Sequence, residues 1–305
     1  MNCYNGEKYL REAMDSVFAQ TFQDWEIIFW DNNSSDSTPQ IAKSYGDAKV
    51  KYFRSQTLIN LGEARRNAVN NSQGEWVTFI DCDDIWYPEK LIVQITALED
   101  TNYCFAYAGI QEITSEGIPI RTVVPKYASG NVIEKLLYQF DVNMVTPIIR
   151  RSFLMDHKIN FEPEITASEE YNLFIRLAAK GDVLVQKEIL GCYRVNAGSL
   201  TNRQISKWAF ERRYTLKQLT EENPSIKDIY KKAFTEAENR GTYYEVRYLM
   251  SICENKIAKE LMHSICSATT MYMLLYVSLF VPGLWNVLHS NLNARKLKNM
   301  ISFFS

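Results

Sequence analysis

The fold is decided by the stretch Trp76-Val77-Thr78-Phe79-Ile80-Asp81-Cys82-Asp83-Asp84, an apolar run that ends in a group of carboxylates. A short run of apolar and β-branched residues predicts a buried strand, which would carry the carboxylates to one edge of a sheet. Carboxylates this close repel one another, and a hard divalent cation with oxygen ligands relieves the repulsion. The stretch therefore predicts either a metal site that holds a diphosphate or an acidic turn whose aspartate caps a helix beginning near Pro88.

Strands and helices alternate ahead of this stretch. The apolar spacing predicts a helix at Glu7–Gln20, strands at Trp25–Trp30 and Val50–Phe53, and a helix at Glu63–Asn71. This alternation predicts an α/β fold with a largely parallel sheet and helices on both faces. In such sheets ligands bind beyond the carboxyl ends of the strands, where the polar segments Asp31–Asp36 and Asp81–Asp84 both fall.

The segment beyond Ile92 predicts a mixed α+β region. Strands are predicted at Tyr103–Ala108, Ile118–Val124 and Val145–Ile149, and a helix at Val132–Tyr138. A further helix is predicted between Ser168 and Gly181, because a serine start, early acidic residues and a glycine stop are typical of a capped helix. Its first turn would carry Glu169 and Glu170.

The composition excludes several kinds of site. With 46% hydrophobic and 23% charged residues, the chain is typical of folded proteins. Its net charge of -2 provides no positive field, so we expect no nucleic-acid partner. The six cysteines form no CxxC pair, which argues against zinc and a disulfide framework and favours a reducing, cytoplasmic compartment. The three histidines lie away from the polar segments, so acid and base chemistry would fall to carboxylates.

The last third of the chain predicts a helical appendage, with one domain at residues 1–203 and the appendage at residues 204–305. Its apolar segment 265–288 is just long enough to span a bilayer but is interrupted by a Pro-Gly pair. Three basic residues follow: Arg295, Lys296 and Lys298. Residues 265–298 therefore predict either peripheral contact with the inner face of the plasma membrane or a buried C-terminal helix or oligomer contact.

Six short motifs together resemble the inverting glycosyltransferase family 2, and the resemblance runs from Asn2 to about Thr201. The motifs are Cys3-Tyr4-Asn5-Gly6-Glu7-Lys8-Tyr9-Leu10, Asp31-Asn32-Asn33-Ser34-Ser35-Asp36, Ala64-Arg65-Arg66-Asn67, Asp81-Cys82-Asp83-Asp84, Ser168-Glu169-Glu170-Tyr171, and Tyr193-Arg194 ahead of Ser199-Leu200-Thr201. The resemblance implies a GT-A fold, which is Rossmann-like with a largely parallel mixed sheet flanked by helices. It also implies a nucleotide-diphosphate sugar donor and a hydroxyl acceptor.

The resemblance also implies roles for individual residues. Asp83 would ligate Mn²⁺ or Mg²⁺ on the donor diphosphate, and Asp81 would support that metal or contact the ribose. The residues implied in nucleotide-sugar binding are Asn5, Asp31, Asn33, Arg66, Asp81 and Arg194. An arginine on a helix is as often a solvated or ion-paired side chain, and Arg66 has this alternative.

The glutamate pair is the implied catalytic base. Family members usually place Glu-Asp on the first turn of this helix, and Glu169 and Glu170 occupy these positions, with Glu170 taking the proton of the acceptor hydroxyl. The alternative is that both glutamates only stabilise the helix dipole. Two positions depart from the family pattern, since Asn32 stands where many members have aspartate and Asn196 where a histidine is common.

The beginning of the chain departs from the family pattern as well. Members normally begin with an apolar strand immediately before the Asn5-Gly6 loop, and the sequence indicates none here. We therefore expect that Met1 is an internal methionine of a longer protein, that a sheet edge is left unpaired, and that upstream residues would restore solubility.

The leading functional hypothesis is a metal-dependent, inverting glycosyltransferase that makes a cell-surface polysaccharide or glycolipid on a glycan or lipid-linked acceptor. One alternative is a catalytically impaired module that binds nucleotide sugars or acts as a scaffold. Another is a nucleotidyltransferase, although that class normally needs a glycine-rich basic phosphate loop, and Asn5-Gly6-Glu7-Lys8 is a poor version of one.

Overall fold

A computed structural model of the chain describes residues 1–46, 48–195 and 204–289. It divides into two compact units, Met1–Arg203 and Gln204–Ser305. Asn196 and the segment Ser199–Thr201, which belong to the motifs above, lie outside the described residues, as do Arg295, Lys296 and Lys298.

The first unit alternates strands and helices, as the sequence predicts. In chain order its described elements are β1 (Asn2–Cys3), α1 (Leu10–Phe18), β2 (Ile27–Asp31), α2 (Thr38–Ser44), β3 (Val50–Arg54), α3 (Leu61–Asn70), β4 (Trp76–Thr78), β5 (Ile85–Trp86), α4 (Lys90–Leu98), β6 (Phe105–Ile113), β7 (Pro119–Val123), α5 (Ile133–Tyr138), β8 (Ile148–Arg150), α6 (Arg151–Asp156), α7 (Glu169–Ala178) and β9 (Val183–Arg194).

Strands β1, β2 and β3 form a parallel sheet in that order. Within it Asn2 lies opposite Trp30, and Cys3 lies opposite Asp31. The sequence indicates no apolar strand ahead of the Asn5-Gly6 loop, and the structure has two strand residues there, Asn2 and Cys3. A strand of two residues leaves no periodic pattern in the sequence, so only its pairing with β2 reveals it.

The remaining strands form a mixed sheet with the order β4-β8-β6-β9-β5, and β7 pairs with the outer part of β6. The long strands β6 and β9 run parallel, whereas the other pairs in this sheet are antiparallel. An isolated parallel bridge between Asn2 and Asp81 links the two sheets. The carboxyl ends of β1, β2 and β4 consequently meet at one edge, where the polar segments begin.

The core beneath this edge is built by the apolar stripe of α1 against β2 and β1. Leu10, Ala13 and Met14 are fully buried there, together with Phe29 and partner residues from neighbouring elements. Burial of this kind stabilises the fold by about 1.5–3 kcal/mol for each large apolar side chain. The loops at the sheet edge are thereby attached to a rigid base.

The second unit is helical throughout its described part. Its helices are α8 (Ile205–Glu222), α9 (Ile226–Ile229), α10 (Lys231–Ser251), α11 (Asn255–Ile265), α12 (Thr270–Ser278) and α13 (Leu284–His289). Buried side chains of α10, α11, α12 and α13 form one apolar cluster, centred on Val246, Met262 and Tyr272. Among the described residues, no helix is long and apolar enough to cross a membrane.

Candidate active site

The acidic segment after β4 forms a tight turn. The backbone N–H of Asp84 donates to the carbonyl of Asp81 at 3.1 Å, and the Asp84 side chain is buried. Burial, followed by repulsion from Asp83 and Asp81, raises the pKa of Asp84 well above its ordinary value. The capping alternative for this segment is wrong, because α4 begins at Lys90 with Glu89 at its N-cap position. The turn therefore brings the carboxyl groups of Asp81, Asp83 and Asp84 close together, and it does not cap α4.

Arg65 connects this turn to the glutamate pair. Its Nη2 donates to both carboxylate oxygens of Asp81 at 2.8 and 2.9 Å, and its Nη1 donates to Oε1 of Glu169 at 2.6 Å. The Arg65 side chain is buried, and although burial opposes its charge, attraction from Asp81 and Glu169 raises its pKa. A guanidinium that holds one carboxylate with each of its two terminal nitrogens fixes direction as well as distance. Arg65 thus sets the position of α7 relative to the end of β4.

The family resemblance implies that the neighbouring arginine, Arg66, binds the nucleotide sugar. Within the described residues Arg66 forms no hydrogen bond or ion pair, and its side chain is partly exposed. Arg65 instead occupies the buried stripe of α3, beside Ala64, Ala68 and Val69. A signal was present in the sequence, because an arginine at an apolar-stripe position needs a buried carboxylate partner.

The glutamate pair begins α7, as the sequence predicts. Glu169 is buried against Arg65, whereas Glu170 is partly exposed. Burial, followed by repulsion from Glu169, raises the pKa of Glu170 to about 8. A carboxyl group in this range exchanges a proton near neutral pH, which is what a general base requires.

The polar loop after β2 is held by hydrogen bonds within the protein. One carboxylate oxygen of Asp31 accepts from the N–H of Ser34 at 2.8 Å, and the other accepts from the Tyr52 hydroxyl at 2.6 Å. Asp31 is fully buried. The adjacent Asn32 exchanges two hydrogen bonds with the backbone of Ile59, at 2.7 and 3.1 Å, which ties a second loop to the first.

Asn5 and Asn33 lie in this loop system with left-handed backbone angles, φ 51° and φ 66°. Asparagine tolerates this conformation better than most residues. Oδ1 of Asn5 accepts from the N–H of Ser35 at 2.8 Å, and Oδ1 of Asn33 lies 3.4 Å from a nitrogen of Arg54. Both asparagines therefore shape the rim of the sheet edge.

Arg194 forms hydrogen bonds and an ion pair with other residues of the chain. Its Nε donates to the carbonyl of Asp83 at 2.9 Å, and its backbone N–H donates to Oδ1 of Asp84 at 2.9 Å. The guanidinium also contacts the Glu12 carboxylate and lies over the Tyr9 ring, 4.4 Å from its centroid. Arg194 thus connects the end of β9 to the acidic turn.

Asp81 and Asp83 are the side chains that could hold a divalent cation. Among the described residues no three His, Cys, Asp or Glu side chains converge on one point. Magnesium-type sites in such enzymes commonly use one or two carboxylates and complete the shell with substrate phosphates and water. The closeness of Asp81, Asp83 and Asp84, whose mutual repulsion adds to burial in raising the pKa of Asp84, fits this donor set. The two carboxylates are therefore suited to a cation that arrives with a diphosphate.

Comparison with solved structures identifies the fold. A fragment of TarS from S. aureus, residues 1–349 in complex with UDP-GlcNAc, superposes with a TM-score of 0.70 at 19% identity. The match covers 93% of this chain and 86% of that fragment. The GT-A fold predicted from the motifs is confirmed by this likeness.

Comparison with protein sequences identifies the family. An uncharacterized glycosyltransferase from Rickettsia felis is 26% identical over 207 residues, which cover 68% of this chain but only 34% of that protein. The Escherichia coli UDP-Glc:alpha-D-GlcNAc-diphosphoundecaprenol beta-1,3-glucosyltransferase WfgD is 25% identical over 209 residues, covering 68% of this chain and 80% of WfgD. The family model for glycosyl transferase family 2 matches residues 1–156. The chain belongs to glycosyl transferase family 2.

Proposed function

We propose that the chain transfers a sugar, with inversion, from a nucleotide-diphosphate donor to a hydroxyl of a glycan or lipid-linked acceptor. The observation that carries this proposal is the bridge from Asp81 through Arg65 to Glu169. It ties a donor-diphosphate turn to the helix whose first turn bears a carboxyl group with a raised pKa. A transferase needs both elements at one sheet edge, whereas a binding module needs only the first.

The donor would be held at the carboxyl ends of β1, β2 and β4. Asp83 and Asp81 would hold Mn²⁺ or Mg²⁺, which when bound neutralises the charge that develops on the departing nucleoside diphosphate. Arg65 keeps Asp81 in one orientation for this purpose. The residues proposed to contact the nucleotide sugar are Asn5, Asp31, Asn33, Arg66, Asp81 and Arg194. Arg194 would in addition fix the acidic turn through its bonds to Asp83 and Asp84.

Glu170 would be the general base. The acceptor hydroxyl attacks the anomeric carbon on the face opposite the diphosphate, and Glu170 takes the proton of that hydroxyl. The bond from the anomeric carbon to the phosphate oxygen breaks, its electron pair leaves with the nucleoside diphosphate, and the configuration at the carbon inverts. Correct placement of such a base contributes about 10²- to 10⁴-fold in rate.

We place the reaction in the synthesis of a cell-surface polysaccharide or glycolipid. The support is the similarity to WfgD, whose name gives a diphosphoundecaprenol-linked acceptor. A nucleotide-sugar donor is supported by the fold shared with TarS, which was solved in complex with UDP-GlcNAc.

A panel of nucleotide sugars tests the proposal. With Mn²⁺ present, the correct donor should raise the melting temperature of the protein, since a ligand that binds only the folded state stabilises it. Asp83→Ala should remove both this stabilisation and the metal-dependent turnover of the donor. The matched control is Asp156→Ala, an exposed carboxylate at the end of α6. Full metal-dependent turnover by Asp83→Ala would contradict the proposal, and donor binding without any transfer or hydrolysis would favour the scaffolding alternative.

We also propose that the second unit contacts the inner face of the plasma membrane. Helix α12 and the residues after it turn an apolar stripe to the surface, formed by Met273, Leu274, Val277, Phe280 and Val281. From Leu261 to the end of the chain the sequence has no acidic residue. An apolar stripe with basic and no acidic residues nearby suits an anionic lipid surface.

Vesicle sedimentation tests this contact. The protein should sediment with phosphatidylglycerol-containing vesicles and less with pure phosphatidylcholine. The double variant Leu274→Ser, Val277→Ser should lose this binding, whereas Ile229→Ser, a change at an equally exposed apolar residue elsewhere in the unit, should keep it. Equal sedimentation of all three proteins would contradict the membrane contact.

A further inference from the structure

Two thiol groups meet beside the acidic turn. Cys3 ends β1, and Cys82 lies within the turn, between Asp81 and Asp83. A Cβ added to Gly6 would clash with both sulfur atoms, since it would lie 2.8 Å from Sγ of Cys82 and closer still to Sγ of Cys3. Because both sulfur atoms lie next to this one point, they are neighbours. The transfer reaction proposed above uses neither thiol.

The backbone pairing at this point explains why the thiols meet. Asn2 of β1 bridges Asp81 in parallel register, so Cys3 and Cys82 are the next residues along the two segments. Residues in step on neighbouring strands lie about 4.8 Å apart and turn their side chains to the same face. A disulfide needs Cα atoms about 4.4–6.8 Å apart and side chains that point towards each other. The register of β1 and the acidic turn therefore suits a disulfide.

The two thiols differ in their exposure to solvent. Cys3 is buried, and its Sγ lies 3.8 Å from the Thr38 hydroxyl. Cys82 is only partly buried, so a small solute can reach its sulfur atom. Contact with the Cys3 thiol, followed by burial, raises the pKa of the Cys82 thiol well above its ordinary value. The thiolate is the reactive form, so we expect oxidation of the pair to be slow and to need sustained exposure to an oxidant.

The acidic turn has to adjust when a cation binds. Both carboxylate oxygens of Asp81 are held by Arg65, and within the described part of the chain no three metal-binding side chains converge on one point. Asp81 and Asp83 would therefore turn towards a cation that arrives with the donor. Cys82 stands between these two residues in the chain, so a covalent bond from Cys82 to β1 would hold the backbone at the centre of this movement.

We propose that Cys3 and Cys82 form a reversible disulfide, made by a peroxide, that lowers the rate of transfer by fixing the acidic turn to the end of β1. The effect on the rate rests on the proposed function, whereas formation of the disulfide does not. Disulfides are rare in cytoplasmic proteins, and those that occur there are usually transient and sense the redox state. The reducing compartment that the cysteine pattern favours is therefore the setting in which such a switch would be open by default.

Hydrogen peroxide would supply the oxidation in two steps. The sulfur of Cys82, the more exposed thiol, attacks one peroxide oxygen, the O–O bond breaks, water leaves with the thiol proton, and Cys82 becomes a sulfenic acid. The sulfur of Cys3 then attacks the sulfur of Cys82, the S–S bond forms as the S–O bond breaks, and a second water leaves with the proton of Cys3. The thiols together lose two electrons, and one peroxide is reduced to two waters. A dithiol reductant reverses the reaction by thiol–disulfide exchange.

Peptide mapping tests the disulfide itself. The protein is treated with hydrogen peroxide, the remaining thiols are alkylated, and the proteolytic peptides are identified by mass spectrometry. We expect a cross-linked pair of peptides that contains Cys3 and Cys82 and that disappears when dithiothreitol is added. The disulfide would close a long loop in the unfolded chain, so oxidation should raise the melting temperature by about 5 °C or more.

The rate of transfer tests the switch. Oxidation should lower the rate at a subsaturating donor concentration by about tenfold or more, because small displacements of binding groups have large effects on rate, and dithiothreitol should restore it. For each variant the measured quantity is the rate of the oxidised protein divided by that of the reduced protein. This ratio should be near one for Cys3→Ala and for Cys82→Ala. It should stay low for the matched control Cys253→Ala, which removes an exposed cysteine of the second unit.

Two outcomes overturn the proposal. If Cys253 is oxidised while Cys3 and Cys82 stay reduced, or are oxidised without being joined, the two thiols are not a disulfide pair. If the cross-link forms and the rate ratio of the unmodified protein is near one, the disulfide does not control transfer.

Failure of the proposed function would be distinguishable from failure of the switch. Peptide mapping of the unmodified protein needs no sugar donor and no variant that has to fold. If neither redox state transfers sugar, calorimetric titration with Mn²⁺ and UDP replaces the rate as the measurement. Weaker binding by the oxidised protein would then support the switch, and equal affinities in the two states would overturn it.

Discussion

The two polar segments at the sheet edge contain the same kinds of residue but are balanced in different ways. In the loop after β2, the Asp31 carboxylate accepts hydrogen bonds from Ser34 and Tyr52, and it lies completely out of solvent. In the turn after β4, burial, followed by repulsion from Asp83 and Asp81, raises the pKa of the neighbouring Asp84, and the Asp81 side chain is 34% exposed.

This difference indicates that Asp31 supports the structure of the site, whereas Asp81 and Asp83 belong to the group that would hold the cation. A buried carboxylate with hydrogen bonds on both oxygens is already compensated by the protein, and it holds two loops in place. A turn with three neighbouring carboxyl groups, of which Asp81 is paired with Arg65, is stabilised further by a cation or by a ligand that brings one. We therefore expect substitutions in the first segment to act mainly on stability and on donor affinity, and substitutions around the second to act mainly on the rate of transfer at saturating donor.

The largest expected effect is on transfer, from Glu170→Gln. The variant keeps the shape of the side chain but removes the base, so the rate at saturating donor should fall by about 10³-fold while donor binding persists. Rates with a fixed acceptor and calorimetric donor titration measure the two quantities. Glu164→Gln, a change at an exposed glutamate shortly before α7, is the control and should keep full activity. A rate within a few-fold of the unmodified protein would remove Glu170 from the mechanism.

Arg65→Met should cause the largest loss of stability. It leaves Glu169 buried without its cation, and breaking a buried ion pair in this way costs about 3–5 kcal/mol in the free energy of unfolding. Arg66→Met provides the comparison at the adjacent position and should change the free energy by no more than about 0.5 kcal/mol. Urea denaturation of the two variants checks the difference. Similar losses for both would show that the bridge between the turn and α7 does not stabilise the fold.

A smaller effect is expected from Tyr52→Phe in the loop after β2. The change removes one hydrogen bond from the buried Asp31 carboxylate, at a cost of about 1–3 kcal/mol. Transfer at saturating donor should persist, because the loop supports the site without taking part in the chemistry. The measurement is the same denaturation assay together with the transfer rate. A selective loss of rate with unchanged stability would contradict the supporting role.

The smallest effect concerns the pH dependence of stability. The pKa of Glu170 is raised in the folded protein to about 8, so between the ordinary glutamate range and pH 8 the folded state binds more protons than the unfolded state. Stability should therefore fall as the pH rises through this window. Glu170→Gln should remove this contribution and gain a few °C in melting temperature at pH 8 relative to pH 5. Melting curves at several pH values test the sign, and parallel curves for the two proteins would refute it.

Much of the fold could be predicted from local patterns. The run ending at Asp81 and the capped helix bearing Glu169 and Glu170 both carry strong local signals, and both are found where the sequence predicts them. The two-residue strand β1 was missed because its existence depends on pairing with β2. The antiparallel pairs of the second sheet, such as β4 with β8, join segments far apart in the chain, and periodicity does not encode direction.

The acidic residues of the site could be predicted from the sequence, whereas the arginine that pairs with them could not. Acidic residues at strand ends and helix starts are identified by position alone. The partner of a buried carboxylate is not, since Arg65 reaches Glu169 across 104 residues of sequence and only the fold brings them together. The apolar C-terminal segment shows the same limit, because Tyr272 and Leu275 of α12 are buried while Met273 and Leu274 are exposed. The sequence predicted that this segment either contacts a membrane or is buried. The helix α12 has one buried apolar face and one exposed apolar face.

The most direct test compares Asp83→Asn with Asp31→Asn, two variants that each remove one negative charge with little change in shape. The quantity to measure is the Mn²⁺-dependent turnover number at saturating donor, expressed per folded molecule. We predict that Asp83→Asn loses at least about 10²-fold in turnover with an unchanged melting temperature, whereas Asp31→Asn melts at a lower temperature and keeps its turnover within a few-fold. Equal turnover losses in the two variants, or a loss confined to Asp31→Asn, would contradict it.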